Sequence, residues 1–125
     1  MDKLEEIFRL QKMFNDDLGE ARGLDNTDTE TWIQRLTLAM LSEMAELLDE
    51  VNFKWWKNKK EFDPALAKGE VVDILHFFVS MCLRLNMDAQ ELYDLYVEKN
   101  RENFLRQQGK SDKSGYTLPG TDAQL

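Results

Sequence analysis

The chain is poor in the residues that staple or break a fold. Its 125 residues hold one cysteine, two prolines and six glycines. One cysteine, Cys82, excludes an internal disulfide and offers no cysteine pair for a metal. Scarce proline and glycine leave few punctuation points, and strand-like alternation is rare, so the spacing predicts an all-α chain. No apolar run is long enough to span a bilayer, and no membrane partner is expected. The opening MDKLEEIFRL is charged throughout and lacks the apolar centre of a signal peptide, so a reduced, cytoplasmic protein is expected. Positive charge is in deficit: 16 Lys and Arg stand against 24 Asp and Glu, a net charge of −8. That argues against nucleic acid as a partner, because such binding needs cations to displace counterions. It leaves room for a small phosphorylated ligand, since a divalent cation can bridge two anions.

What is present is helical periodicity. A first helix is predicted from about Asp2 to Ala21, with Leu4, Ile7, Phe14 and Leu18 on one face and Gln11 in its middle. Asn15 lies one turn beyond Gln11. A second helix is predicted from about Thr31 to Asn52, after a polar loop rich in N-capping residues. The connector NFKWWKNKKEFDPALAKGE follows; Asp63-Pro64 marks a helix start, and Gly69 is expected to interrupt this segment. The third helix, about Glu70 to Asn86, is apolar around most of its circumference and is expected to be the central buried helix. Its polar exceptions, Glu70, Asp73, His76, Ser80 and Arg84, fall on one stripe. A fourth helix begins after Asp88, with Glu91 in capping-box position, and runs to about Gln108. The expected organisation is one four-helix domain over residues 1–108 and a tail over 109–125 that is mobile unless a ligand or partner orders it.

Two acid pairs carry the chemistry. Glu43/Glu46 and Glu70/Asp73 each sit at i and i+3, which points both carboxylates of a pair the same way. At 100° per residue, Glu43, Glu46 and Glu50 border the apolar stripe of the second helix instead of opposing it. Antiparallel packing of the second and third helices would bring four carboxylates together. Two unit charges 4 Å apart repel by about 4 kcal/mol at an effective dielectric of 20, so such a cluster requires protons or cations. Oxygen donors without cysteine favour Mg²⁺, with Mn²⁺ as a substitute. Such a site suits phosphoryl chemistry, with a carboxylate orienting the attacking water. Lys57, Lys99 and Arg106 could then hold phosphate charge. Taken singly, each of these features has a plainer meaning: a solvated acidic face, a bonded core histidine, tryptophans as packing anchors.

Together the motifs resemble a known family. EMAE (residues 43–46) followed by EVVD (70–73) looks like the E-x-x-E…E-x-x-D pattern of the MazG-like all-α nucleoside triphosphate pyrophosphatases. LQKMFN (10–15), FKWWK (53–57), EVVDILHFF (70–78) and EKNRENFLRQ (98–107) resemble, in order, the further elements of its dimeric all-α dUTPase branch. The resemblance implies a dimeric-dUTPase-like helical bundle, a homodimer or tetramer, that hydrolyses dUTP to dUMP and pyrophosphate with Mg²⁺. It implies metal ligation by Glu43, Glu46, Glu70 and Asp73, with Glu46 orienting the water and Glu50 as a support. Lys57, Lys99, Asn103 and Arg106 would hold the phosphates. Gln11 and Asn15 would read the uracil edge, with His76 and Trp56 near the nucleoside. One departure is the tail, RQQGKSDKSGY, which places Gly115-Tyr116 later than the family does.

Three alternatives stand beside this. A MazG-like or dCTP-directed pyrophosphatase shares the metal chemistry and differs in base specificity. A non-enzymatic helical interaction module explains the apolar content but leaves Glu70 and Asp73 on the most apolar helix without a purpose. A di-iron carboxylate bundle uses two Glu-x-x-His pairs, and this chain has one histidine.

Overall fold

Aspartate side chains start the first three helices in the computed structural model, which describes residues 1–24, 26–113 and 115. Asp2 accepts from the Glu5 amide at 2.8 Å and opens α1, Lys3–Arg22. Asp28 accepts from the Thr31 amide at 3.1 Å and opens α2, Thr29–Glu50. Asp63 accepts from the Ala65 amide at 2.9 Å and opens α3, Pro64–Arg84, with proline in the first turn where no amide hydrogen is needed. α4 spans Ala89–Gln107. The described residues form no strand, so the chain is all-α as expected.

Left-handed residues end the helices. Gly23 has φ 65° after α1, Asn86 φ 57° after α3 and Gly109 φ 72° after α4. Behind each, the next amide reaches back to a helix carbonyl: Leu24 to Gly19, Met87 to Cys82 and Lys110 to Leu105, at 2.8–2.9 Å. These are Schellman-type closures, which satisfy carbonyls the helix leaves open.

α3 departs from expectation in length. It begins at Pro64 and runs without a break through Gly69, where the sequence suggested an interruption. A helical glycine costs only about 1 kcal/mol relative to alanine, and the Asp63-Pro64 start outweighs it. The extension places Glu70 well inside a formed helix.

The chain forms two compact units, Met1–Asp88 and the residues from Ala89 onward. In the first, α3 packs against both α2 and α1. Phe8, Leu36, Val79 and Cys82 are its buried apolar side chains, and Val79 is 1% exposed. α3 is therefore central to this unit. Even so, Val71, Val72, Leu75 and Phe78 on its other faces remain 39–53% exposed. Two neighbouring helices cannot cover a helix that is apolar nearly all round.

In the second unit, Glu102 organises the end of α4. It accepts from Ser111 Oγ at 2.7 Å and from Arg106 Nε at 3.3 Å, which together hold its carboxyl below the usual range. Most of the 109–125 tail, including Tyr116, lies outside the described residues. No described helix is long and apolar enough to cross a membrane.

Candidate active site

Three of the expected acids meet. Carboxylate oxygens of Glu43 and Glu46 on α2 and Glu70 on α3 lie within 4.8 Å of one another. The i,i+3 spacing puts the α2 pair on one face, and the packing of α3 on α2 brings Glu70 against it. Asp73 stands outside this tight trio but lines the same cavity as Glu43 and adds to the negative potential there. Glu50, the expected support, is not a member of the trio. Its Oε2 lies 3.6 Å from Lys60 Nζ, so it helps tether the connector.

The electrostatics of the trio are unfavourable as it stands. Glu43 Oε2 and Glu70 Oε2 are shut off from solvent and receive no hydrogen-bond donor from the described residues. Burial, then hydrogen bonding with Glu43 and Glu46, pushes the Glu70 carboxyl up to about 7. Glu43 is also raised. The proton shared from Glu70 works downward on it, but desolvation, Glu46 and Asp73 outweigh that effect. A proton shared between the acids is one way to relieve the repulsion, and a cation is the other. The donor set fits a hard divalent cation: three converging carboxylates, two with orphaned buried oxygens, and no thiol.

Beside the acids lies a cavity of about 420 Å³ between α1, α2 and α3. Glu43 and Asp73 stand on its wall, and Gln11, Asn15, His76 and Ser80 line it as well. Gln11 is 8% exposed and hydrogen-bonded to both Asn15, at 2.9 Å, and His76, at 2.8 Å. The expected amide pair and the histidine are thus assembled on one surface. α3 supplies Asp73, His76, Ser80 and Arg84 from one stripe, about 16 Å long at 1.5 Å per residue.

Trp32 and Arg84 complete the wall, and neither was among the expected site residues. The Arg84 guanidinium lies 4.2 Å from the Trp32 ring centre, a cation–π contact. The Trp32 indole N–H is buried and has no hydrogen-bond partner among the described residues. Arg84 was legible as a member of the polar stripe on α3. Trp32, at the start of α2, carries no sequence signal that separates it from a packing anchor.

Trp56 is not brought into this cavity. It stands 60% exposed on the connector, edge-on to Trp55 at 5.5 Å. Lys57 lines a separate depression with Lys54 and Lys60. Asn52, at φ 55°, pins that connector: its side chain donates to the Lys60 carbonyl at 2.8 Å and accepts from the Lys60 amide at 2.9 Å. On the second unit, Lys99, Asn103 and Arg106 share one depression of mixed charge with Arg101 and Lys113 and with the acids Glu98, Glu102 and Asp112, and Arg106 is bonded to Glu102 there.

The chain is 34% identical over 87 residues to the dCTP pyrophosphatase of Enterobacteria phage T4, covering 58% of this chain and 51% of that protein. It is 48% identical over 45 residues to the dCTP pyrophosphatase of Enterobacteria phage LZ5, covering 36% of this chain and 26% of that one. The chain thus matches about half the length of the first relative and a quarter of the second. No solved structure matches it significantly. The profile of a family described as dUTPase matches residues 3–92, which contain the acid trio and the whole amide-lined cavity, and the chain belongs to that all-α dUTPase family.

Proposed function

We propose that the chain is a divalent-cation-dependent nucleoside triphosphate pyrophosphatase that takes dUTP to dUMP and pyrophosphate. The observation that carries this reading is the acid trio, with orphaned buried oxygens, beside an amide-lined cavity. Glu43, Glu46, Glu70 and Asp73 would hold Mg²⁺, or Mn²⁺ in its place. The bound cation would neutralise the acids and polarise the phosphoryl oxygens. Glu46, the exposed member of the trio, faces solvent and is the group assigned to orient the attacking water and accept its proton. The phosphoanhydride between the α and β phosphates breaks, and pyrophosphate leaves. Lys57 and the α4 group Lys99, Asn103 and Arg106 have the charge and donors to hold phosphate oxygens. Gln11, Asn15 and His76 present donors and acceptors to the base. Trp56 is assigned to the nucleoside by the family resemblance.

A second reading is dCTP as the substrate, and the names of the two phage relatives favour it. The donors and acceptors of Gln11, Asn15 and His76 can meet either pyrimidine. A homodimer fits the exposed apolar residues of α1 and α3: Ile7, Leu10, Val72 and Leu75 line one groove of about 480 Å³. Release of pyrophosphate from dUTP, dCTP, dTTP and UTP, with and without Mg²⁺, tests the proposal. Preference for dUTP supports the first reading and preference for dCTP the second. Equal rates on all four would reject a base-selective enzyme.

A further inference from the structure

Four side chains of the cavity close a hydrogen-bonded ring, and one of them fixes its direction. Ser80 is 4% exposed, and its Oγ lies 2.9 Å from the backbone oxygen of His76, one helical turn back. A carbonyl oxygen can only accept, so the hydroxyl proton is committed to it. The Ser80 Oγ lone pairs then accept from Asn15 Nδ2 at 3.1 Å. A competing contact from Oγ to Asn15 Oδ1 is longer, 3.4 Å, and that oxygen already accepts from Gln11 Nε2 at 2.9 Å. Gln11 Oε1 is left facing His76 Nδ1 at 2.8 Å. An amide oxygen cannot donate, so Nδ1 carries the imidazole proton and Nε2 of the neutral ring is a bare acceptor. The ring begins and ends on residue 76.

We propose that Ser80 is a specificity-determining positioning residue: it fixes the amide order of Asn15 and Gln11, so that the cavity matches one pyrimidine edge. The proposal rests on the reading of this cavity as a base pocket. Uracil presents an acceptor, a donor and an acceptor; cytosine presents an acceptor, an acceptor and a donor. Each amide keeps one N–H and one oxygen lone pair outside the ring bonds. Held in one order, they satisfy one of these edges and leave buried groups unpaired against the other. Without the Ser80 hydroxyl, both amides can turn over and the imidazole proton can move to Nε2. The pocket then accommodates either base.

The test has two arms on the full chain. His76 is the only histidine, so ¹⁵N NMR of its ring is free of overlap. With the imidazole neutral and no nucleotide added, the wild-type protein and Ser80→Thr, which keeps a hydroxyl, should show the Nδ1–H tautomer. Ser80→Ala should show a mixture. In the second arm, the dUTP-to-dCTP ratio of kcat/KM should move about tenfold toward unity in Ser80→Ala. The change should come through KM for the disfavoured nucleotide, and Ser80→Thr should restore the ratio. A wild-type ring protonated at Nε2 overturns the proposal, and that reading needs no variant to fold. An unmoved tautomer and ratio in folded Ser80→Ala overturn it equally. A wild-type chain that hydrolyses no nucleotide would sink the base-pocket reading, while the tautomer arm would still decide whether Ser80 sets the ring.

Discussion

Cation binding at the acid trio should tighten about tenfold between pH 6 and pH 8. The reason is the proton that the trio carries when metal-free. Glu70 titrates at about 7, so roughly one Glu70 in eleven is ionised at pH 6 and about ten in eleven at pH 8. A divalent cation needs the ionised form, and its apparent Kd scales with the inverse of that fraction. Glu43 is also raised, which steepens the dependence. Near pH 7 each Mg²⁺ bound should release about half a proton from Glu70. Calorimetry in buffers of different ionisation heat measures both the Kd and the proton count. Glu70→Gln removes the titrating group, so it should bind Mg²⁺ more weakly and lose most of the pH dependence. A wild-type Kd that is flat from pH 6 to 8, with no proton released, would refute the reasoning. The same shift has a stability consequence without metal. Glu70 holds its proton more tightly folded than its ordinary value of 4.5 allows unfolded. The folded chain therefore binds more protons between about 4.5 and 7, and metal-free stability should fall as pH rises through that window. Mg²⁺ should reverse the loss at the upper end.

Other perturbations read different parts of the structure. Glu46→Gln should fold like the wild type by circular dichroism and lose at least about a hundredfold in turnover, the scale of general-base catalysis. Val79→Ala removes two methyl groups from the most buried apolar site and should cost about 2 kcal/mol in denaturant unfolding. Asn52→Gly keeps the left-handed backbone but deletes both bonds to Lys60, so amide exchange across 53–60 should quicken about tenfold while the helices stay protected. Trp32→Phe keeps a ring beneath Arg84 and deletes the orphan N–H; KM for dUTP and dCTP should rise together, about three- to tenfold, with Mg²⁺ affinity unchanged.

Much of this site is written in local spacing. The i,i+3 acids of α2, the one-turn step from Gln11 to Asn15, and the polar stripe of α3 are all helical periodicities, and the structure keeps each of them. Capping aspartates are equally local, which is why Asp2, Asp28 and Asp63 mark the helix starts within a residue or two. What sequence could not give depends on tertiary packing. Nothing in the periodicity says that Ser80 will close a ring with Asn15, 65 residues away, or that Trp32 will fold under Arg84. The resemblance alone places Trp56 near the nucleoside; taken singly, the connector tryptophans read as packing anchors. In space they point off a loop that Asn52 and Glu50 tether elsewhere. Gly69 reads as a breaker, yet its local cost is small beside the Asp63-Pro64 helix start.

The central claim is that converging carboxylates and an adjoining amide pocket make this chain a nucleoside triphosphate pyrophosphatase. The most direct measurement is pyrophosphate release from dUTP and dCTP by the purified wild-type chain and by Glu46→Gln, side by side, with Mg²⁺ present and after chelation. The account predicts pyrophosphate together with the matching monophosphate from the wild type with Mg²⁺, and at most about one-hundredth of that rate from Glu46→Gln or after chelation. Inorganic phosphate as the product, or full activity in folded Glu46→Gln, would contradict it.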